Sequence, residues 1–303
     1  MTDYGTEYVI VTACPLCGGT ASQSFDRRTF RAFPVENRLC SGCGLVYQSP
    51  RMSDQALDEF YIAEYRQAYQ GEAGPTSKDL YVQGHRAASL VDFLKKAMPG
   101  PIDPPFCLDI GSSSGLLLEQ LKQDFSLGGM GVEPGEAYRA FSIKRGLEVV
   151  TSLNELSSRQ LGPFGLVSMI HVLEHLPNPI EVLLEVRQKF LARTGLLLVE
   201  VPNLYAHDCF EVAHLTSFSS HTLTRLLGKA GFTITHLRAH GAPRSRLLQL
   251  YLTALAIPTS QMDPMDNIKP EGSVRLKRSL GLLRRYFLER FTPGKAWLPL
   301  PKG

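Results

Sequence analysis

Residues 106–118 read FCLDIGSSSGLLL and join two apolar stretches through a turn that contains two glycines. This pattern is typical of a buried strand that passes through a tight loop into a helix, where glycine lets the backbone approach a ligand. Glu133 follows Asp109 by 24 residues and ends the next apolar stretch, residues 129–133. A strand, a glycine loop and an acid at the tip of the next strand predict a half-fold that binds an adenosine-bearing cofactor.

Four of the six cysteines form two pairs with two residues between the partners: Cys14, Cys17, Cys40 and Cys43. This spacing lets both thiolates of a pair face one tetrahedral ion, and the glycine after each pair permits a tight turn. We predict a structural Zn²⁺ site of the treble-clef or zinc-ribbon type. Two disulfides are the alternative, which fits poorly with a chain whose polar, acidic start is unlike a signal peptide. Cys107 and Cys209 are predicted to be small buried hydrophobic residues.

Between residues 106 and 256, apolar stretches of strand length alternate with stretches of helical periodicity. This alternation predicts an α/β fold, a doubly wound seven-stranded sheet with parallel strands. The predicted strands are residues 106–110, 129–133, 147–150, 165–170, 196–201, 232–238 and 247–255. One predicted helix has Asn178 as its cap, Pro179 in its first position and Glu181 closing a capping box.

The chain therefore divides into four predicted parts. A zinc-binding module occupies residues 1–50, a helical connector or lid 51–105, the cofactor-binding domain 106–256 and a basic extension 257–303. Three tyrosines of the connector could help to cover an acceptor: Tyr61, Tyr65 and Tyr69.

The spacing Asp109-x-Gly111-x-Ser113-x-Gly115 resembles the D/E-x-G-x-G-x-G loop of class I S-adenosylmethionine-dependent methyltransferases, with Ser113 at the middle glycine. The resemblance extends over about 150 residues and includes GVEP at 131–134, FGLVSMIHVLEHLPNP at 164–179, GLLLVEVPN at 195–203 and HLTSFSS at 214–220. The four-cysteine module in front of such a domain resembles a bacterial group that includes sugar C-methyltransferases. That group has a further large C-terminal domain, whereas about sixty residues remain here, which argues against C-methylation of a sugar. We expect O-methylation of a sugar, glycan or related secondary metabolite.

The resemblance implies S-adenosylmethionine as cofactor and assigns its contacts. Asp109 would orient the loop, while Gly111 and Gly115 would let the backbone approach the methionine and ribose parts. Glu133 would accept hydrogen bonds from both ribose hydroxyls. The other implied cofactor-site residues are Ser112, Ser113, Pro134, Ser152, Leu153 and His171, of which Ser152 and Leu153 would cradle the adenine.

Methyl transfer to a hydroxyl benefits from a base, and histidine titrates near neutral pH. The catalytic candidates are His171, His175 and His214, with Glu174 as a possible orienting partner. His214 occupies the position of a functional histidine in the sugar-methylating relatives. His175 could instead be a structural residue that bonds a backbone carbonyl.

Residues 171–175 also fit H-x-x-E-H, the signature of inverted zinc proteases, but Pro177 and Pro179 would end the helix that this signature requires. Ubiquinone-pathway O-methyltransferases resemble the chain in the same segment and use acidic and histidine side chains with a divalent ion, which leaves a magnesium-type site open.

The net charge of +3 is unevenly distributed, because residues 241–303 carry 11 Lys/Arg against 4 Asp/Glu and the remainder is acidic. This balance argues against nucleic-acid binding by the main body. The basic extension contains a predicted helix with an apolar stripe, which indicates docking on its own domain, a subunit contact or a peripheral membrane contact. We expect a cytoplasmic enzyme with a small-molecule or glycan acceptor. The alternatives are a zinc-containing ribosomal RNA methyltransferase and a catalytically silent scaffold.

Overall fold

The computed structural model describes residues 8–30, 33–63, 74–98, 100–208, 210–260 and 269–301. The predicted lid residues Tyr65 and Tyr69 lie outside the described residues, as do Cys209 and the side chain of Tyr61. No helix among the described residues has the length and hydropathy of a bilayer-spanning segment.

The N-terminal part is built from short strands: β1 (Tyr8–Val9), β2 (Ser22–Phe30), β3 (Phe33–Cys40), β4 (Val46–Gln48) and β5 (Arg51–Met52). β1 pairs with β5, and β2, β3 and β4 form an antiparallel sheet. The helices α1 (Asp54–Ala63) and α2 (Ser77–Ala97) follow. α2 begins at Thr76, whose side chain forms a reciprocal capping box with Asp79.

The central sheet has seven strands, as the sequence predicted. They are β6 (Phe106–Ile110), β7 (Gly128–Val132), β8 (Glu148–Val150), β9 (Phe164–Ile170), β10 (Leu191–Pro202), β12 (Phe232–His240) and β13 (Tyr251–Pro258). Their order across the sheet is β12-β13-β10-β9-β6-β7-β8. The connecting helices are α3 (Leu116–Phe125), α4 (Glu136–Lys144), α5 (Leu153–Ser158), α6 (Pro179–Glu185) and α7 (Ser220–Lys229). Separate apolar clusters fill the two faces of the sheet.

The expectation of parallel strands throughout was wrong for β13, which runs antiparallel to both β10 and β12. Residues 241–250 connect β12 to β13 without a helix, and a parallel pairing would need a longer crossover. The predicted start of this strand at residue 247 was also early. The backbone N–H groups of Leu247 and Leu248 bond to the Ser245 hydroxyl instead of a neighbouring strand.

The predicted capping box of α6 is absent. Pro179 does occupy the first turn, but the Asn178 side chain makes no capping hydrogen bond. α7 does begin with a side-chain cap, because the Ser219 hydroxyl accepts from the Thr222 N–H.

The N-terminal sheet is completed by a strand from the later chain, β11 (Thr216–Ser217), which pairs with β4. Leu16 and Leu45 share one apolar cluster with Leu223 and Leu226 of α7. The cysteine-bearing module therefore packs directly on the central domain, whereas the predicted boundaries at residues 50, 105 and 256 stay predictions.

Two further helices, α8 (Val274–Phe291) and α9 (Pro293–Ala296), follow β13. The apolar stripe of α8 does not pack on the domain, because Leu276, Leu280, Leu283, Phe287 and Phe291 are all exposed. Val274 and Arg278 are the buried residues of this helix.

Candidate active site

The loop between β6 and α3 is held in a strained form by its neighbours. Ser113 adopts a left-handed φ of +50°, which is uncommon for a residue other than glycine. Its N–H donates to Glu133 Oε2 at 2.8 Å, and its carbonyl accepts from the Ser142 hydroxyl at 3.1 Å. The position where the methyltransferase loop has glycine therefore retains the glycine-like conformation.

Packing explains the glycines of this loop. Gly111 has a φ of +73°, and a Cβ there would lie 2.6 Å from Val172 Cγ2. Gly115 has a φ of +74°, and its Cβ would collide with Leu147. The close approach of both glycines to the cofactor stays a prediction, and in the structure Val172 and Leu147 fill the space that side chains at these positions would need.

Glu133 is 4% exposed at the end of β7, with both carboxylate oxygens bonded to backbone. Oε2 accepts from Ser113 N–H, and Oε1 accepts from Gly135 N–H at 2.8 Å. Each oxygen has a second lone pair, so the carboxylate can still accept from a diol.

Asp109 is buried at the end of β6 and accepts a hydrogen bond from the Ser168 hydroxyl at 2.7 Å. Burial raises the pKa of Asp109 to about 7, the Ser168 hydrogen bond opposes this, and the nearby Glu133 charge adds to it. Its carboxyl is therefore poised between the neutral and ionised forms near pH 7.

A cavity of about 620 Å³ opens at the carboxyl ends of β6, β7 and β9. Parallel α/β sheets bind ligands at this edge. Eight of the predicted site residues line it with Asp109: Gly111, Ser112, Ser113, Glu133, Pro134, Ser152, His171 and His175. Gly115, Leu153 and His214 do not line the cavity. Leu153 packs into the core below it.

Sequence reasoning missed the wall that α2 contributes. Asp79, Gln83 and Arg86 line the cavity along one face of this helix. The Ser114 hydroxyl and N–H both donate to the Gln83 side-chain oxygen, so α2 is tied to the glycine loop. The sequence feature that could have indicated this wall is the spacing of Asp79, Gln83 and Arg86, which are three or four residues apart and therefore share one face of the helix.

Arg86 is the centre of a buried polar network. Its guanidinium pairs with Glu200 of β10, contacts His171 Nε2 and lies 4.5 Å from the centre of the Tyr251 ring. Burial alone would raise the pKa of Glu200, but the charge of Arg86 and hydrogen bonds from His171 and His240 hold it well below its usual value. Glu200 is thus an ionised anchor for Arg86.

His171 follows β9 with a left-handed φ of +55° and donates its N–H to the Glu200 carbonyl. Its Nδ1 lies 3.1 Å from Glu174 Oε1 and its Nε2 3.3 Å from Glu200 Oε1. Strained residues of this kind persist where the surroundings hold them, often at functional sites. His171 is therefore fixed between two buried carboxylates.

His175, Glu174 and His214 form a second cluster beside the cavity. His175 Nδ1 donates to the Ala213 carbonyl at 2.9 Å, so Nε2 carries the lone pair of the neutral ring. Burial lowers the pKa of His175 to about 4, against the opposing effect of Glu174. His214 packs edge-on against His175, with ring centres 4.8 Å apart, and its Nε2 lies 2.8 Å from Glu211 Oε1.

Glu174 is 1% exposed, and no well-aligned hydrogen bond reaches its carboxylate oxygens from the described residues. Burial would raise the pKa of Glu174, but His171, His175 and His214 lower it to about 2. One donor atom each from Glu174, His175 and His214 lies within 4.8 Å of the others. The cluster can therefore stabilise positive charge, either a protonated ring or a divalent cation.

The four paired cysteines converge at the other end of the N-terminal sheet. Their Sγ atoms lie within 4.8 Å of one another, with Cys14–Cys43 at 3.6 Å and Cys17–Cys40 at 3.4 Å. The N–H groups of Gly19 and Leu45 point at the sulfurs of Cys17 and Cys43, respectively. Tetrahedral zinc with bonds of about 2.3 Å would separate two sulfurs by roughly 3.8 Å, so the donor set fits this ion.

The profile of the methyltransferase domain family matches residues 82–237, just over half of the chain. The chain belongs to this methyltransferase family. No curated protein sequence matches this methyltransferase significantly.

The structure of 1,6-didemethyltoxoflavin-N1-methyltransferase from Burkholderia thailandensis, with bound 1,6-didemethyltoxoflavin and S-adenosylhomocysteine, is similar to the methyltransferase. It has a TM-score of 0.54 and 15% identity, over 78% of this chain and 100% of that one. An S-adenosylmethionine-dependent methyltransferase from Archaeoglobus fulgidus has a TM-score of 0.47 and 18% identity, over 60% and 99% of the two chains. A possible histamine N-methyltransferase from Thermotoga maritima has a TM-score of 0.44 and 19% identity, over 59% of this chain and 93% of that one.

Proposed function

We propose that the enzyme binds S-adenosylmethionine in the 620 Å³ cavity and methylates a hydroxyl oxygen of a sugar, glycan or secondary metabolite. The observation that carries this proposal is the pairing of two chemistries in one cavity. Glu133 follows β7 and His175 follows β9, on either side of β6 in the sheet. Glu133 would supply a buried carboxylate for the ribose diol of the cofactor, and His175 would supply a neutral imidazole for the acceptor.

On the cofactor side, Glu133 would accept from the two ribose hydroxyls, while its bonds to Ser113 and Gly135 keep the carboxylate in place. Asp109 would orient the loop, and Ser112 and Ser152 lie on the cavity wall. Ser112 Oγ is a buried hydroxyl without a partner among the described residues, as expected where a polar ligand is to be bound. S-adenosylmethionine supplies an activated methyl on a sulfonium, so these residues act mainly by alignment.

On the acceptor side, His175 is the base that the geometry favours. Its Nδ1–H bond to Ala213 fixes the ring and leaves Nε2 able to take the hydroxyl proton as the oxygen–methyl bond forms and the sulfur–methyl pair returns to sulfur. Glu174 would stabilise the resulting imidazolium. His214 contacts His175 but not the cavity, so we assign it a positioning role with Glu211. His171 would border the acceptor beside Arg86.

The same donors support a divalent ion as an alternative way to activate the hydroxyl. Two histidines and one carboxylate are ligands for such ions. The other nitrogen of His175 lies near the Ala213 carbonyl, and that of His214 lies near a Glu211 carboxylate oxygen. Contacts of this kind orient metal-bound imidazoles. Loss of activity in chelator-treated enzyme, restored by Mg²⁺ or Mn²⁺ and not by Zn²⁺, would favour this alternative over a general base.

The four cysteines are proposed to bind one structural Zn²⁺. All four tetrahedral positions would be filled by thiolates, so the ion would stabilise the module without taking part in methyl transfer. The charges of this module support a small acceptor over RNA. Arg27, Arg28 and Arg38 each form ion pairs with acids of the module or of the central domain.

The test combines acceptor screening with a histidine variant. Purified enzyme is incubated with S-adenosylmethionine and a panel of hydroxylated small molecules, S-adenosylhomocysteine release is measured, and the methylated atom is identified by NMR. His175→Asn keeps a donor for the Ala213 carbonyl but has no basic nitrogen, so kcat should fall about 10²- to 10⁴-fold. Binding of S-adenosylhomocysteine should change less than about twofold.

His236→Asn is the matched control, because His236 is exposed on β12. Unchanged turnover in His175→Asn would refute the base assignment, and a methylated nitrogen or carbon in the product would refute the oxygen acceptor.

A further inference from the structure

The outer face of α8 is apolar over its whole length. Leu276, Leu280, Leu283, Phe287 and Phe291 recur at helical spacing, with exposed fractions of 59, 56, 49, 48 and 72%, respectively. Phe287 and Phe291 stack with ring centres 6.1 Å apart. The stripe runs from Leu276 to Phe291 of this 18-residue helix, so it is about 23 Å long. Contiguous exposed stripes of this kind indicate an interaction surface.

The opposite face of α8 holds the helix to the domain through polar contacts. The buried Arg278 donates to the backbone carbonyls of Leu204 and His207 and pairs with Asp208 at 3.2 Å. Gly281 sits so close to the Tyr205 carbonyl that any side chain there would collide with it. These contacts use directional partners of one particular face, so the helix cannot rotate its apolar stripe inward without losing them.

Cations border the stripe on both sides. Arg284 and Arg290 are exposed next to it, and Arg284 also donates to the Leu247 carbonyl at 3.3 Å. Arg275, near its start, is turned to the N-terminal sheet, where it donates to the carbonyls of Ser24 and Phe25. Glu289 is the single acid of this helix, and it bonds to Arg285 and Trp297 on the inner side. The outer face therefore combines apolar side chains with positive charge.

This charge pattern distinguishes between two possible occupants. A second copy packed on the same face would bring the cations of both helices together without acids from either helix to offset them. An anionic lipid surface would accept the apolar side chains below its headgroups and attract the arginines at the headgroup level. We propose that α8 docks the enzyme reversibly on anionic membranes. This inference does not depend on the acceptor or the base.

The test is co-sedimentation of the full-length enzyme with phosphatidylcholine vesicles that contain or lack phosphatidylserine. The wild-type enzyme should bind the anionic vesicles at least about tenfold more strongly, and added salt should weaken this binding. Leu280→Glu and Phe287→Glu should each reduce binding about tenfold or more, because they place a charge in the apolar stripe. Arg284→Gln combined with Arg290→Gln should reduce the preference for phosphatidylserine.

Ile143→Glu is the matched control, because Ile143 is 51% exposed on α4, against 56% for Leu280. It should leave vesicle binding unchanged, and circular dichroism and thermal unfolding should show that all variants are folded. Failure of the wild type to sediment with anionic vesicles, or equal binding by Leu280→Glu, would overturn the proposal. So would light scattering that shows a dimer which Leu280→Glu converts to a monomer, since a second copy would then cover the face.

Discussion

Replacing Glu133 by alanine tests the proposed cofactor site at the residue assigned to the ribose hydroxyls. The carboxylate is 4% exposed and is held by two backbone N–H groups at 2.8 Å, so it is already oriented before a ligand binds. Hydrogen bonds to a charged group contribute about 1.5–3 kcal/mol. Loss of the carboxylate should therefore weaken S-adenosylhomocysteine binding by about 10- to 150-fold. The N–H groups of Ser113 and Gly135 also lose their acceptor, which should lower the melting temperature.

Isothermal titration calorimetry with S-adenosylhomocysteine measures the first effect, and thermal unfolding measures the second. Glu133→Gln retains one carbonyl oxygen, so its affinity should lie between those of the wild type and Glu133→Ala. Glu136→Ala is the control, since it removes the same charge from an exposed position in the first turn of α4. An affinity within about twofold of the wild type in folded Glu133→Ala would mean that Glu133 orders the loop but does not touch the ligand.

Three other substitutions test neighbouring parts of the structure. The folded-state pKa of Asp109 is raised to about 7, so its protonated form stabilises the protein at low pH and this stability is lost as the pH rises through 7. Asp109→Asn cannot ionise, so its melting temperature should rise relative to that of the wild type between about pH 4 and pH 7, and the difference should level off above pH 7. Cys40→Ser should contain less zinc, measured by elemental analysis, and should have a lower kcat. Cys107→Ser is the control, because Cys107 is buried in β6, and it should keep its zinc content. Ser113→Gly removes a left-handed serine, so chemical denaturation should show a gain of about 0.5–1 kcal/mol, and a clear loss would contradict the strain argument.

The strands of the central domain could be predicted because buried parallel strands are short apolar stretches with turn residues at both ends. β6 was predicted with its observed bounds, and the strands next to it were shifted by a residue or so. β13 was less predictable. Leu248 and Leu250 are buried like strand residues, but the Ser245 hydroxyl accepts the backbone N–H groups of Leu247 and Leu248. A pattern of apolar residues indicates burial, but it does not indicate which acceptor a backbone N–H bonds to.

The site could be predicted only where a motif lies within one stretch of chain. The loop residues and Glu133 could be predicted together because each follows one of two consecutive apolar stretches. The structure pairs these stretches as the adjacent parallel strands β6 and β7. Arg86 and Gln83 were missed, since their place depends on how α2 docks on the glycine loop. His214 could not be distinguished from His175 by sequence. Both lie near the proposed acceptor side, but of the two only His175 is among the residues that line the cavity.

The cysteine module is linked to this acceptor side through a short run of backbone contacts. β4 begins three residues after Cys43, and its last residue, Gln48, donates its N–H to the Leu215 carbonyl and its side-chain amide to the Glu211 carbonyl. Leu215 N–H in turn donates to the Glu174 carbonyl at 2.7 Å.

The segment that carries His214 is therefore held between β4 and the turn that carries His175. An ion bound at the cysteines would fix the start of β4, and hydrogen-bonded strands transmit such a constraint because their register cannot shift by a fraction of a residue. Removal of the metal should accordingly loosen the contact between the two histidine rings. It is on this ground that we expect Cys40→Ser to lower kcat even though none of the four paired cysteines borders the cavity.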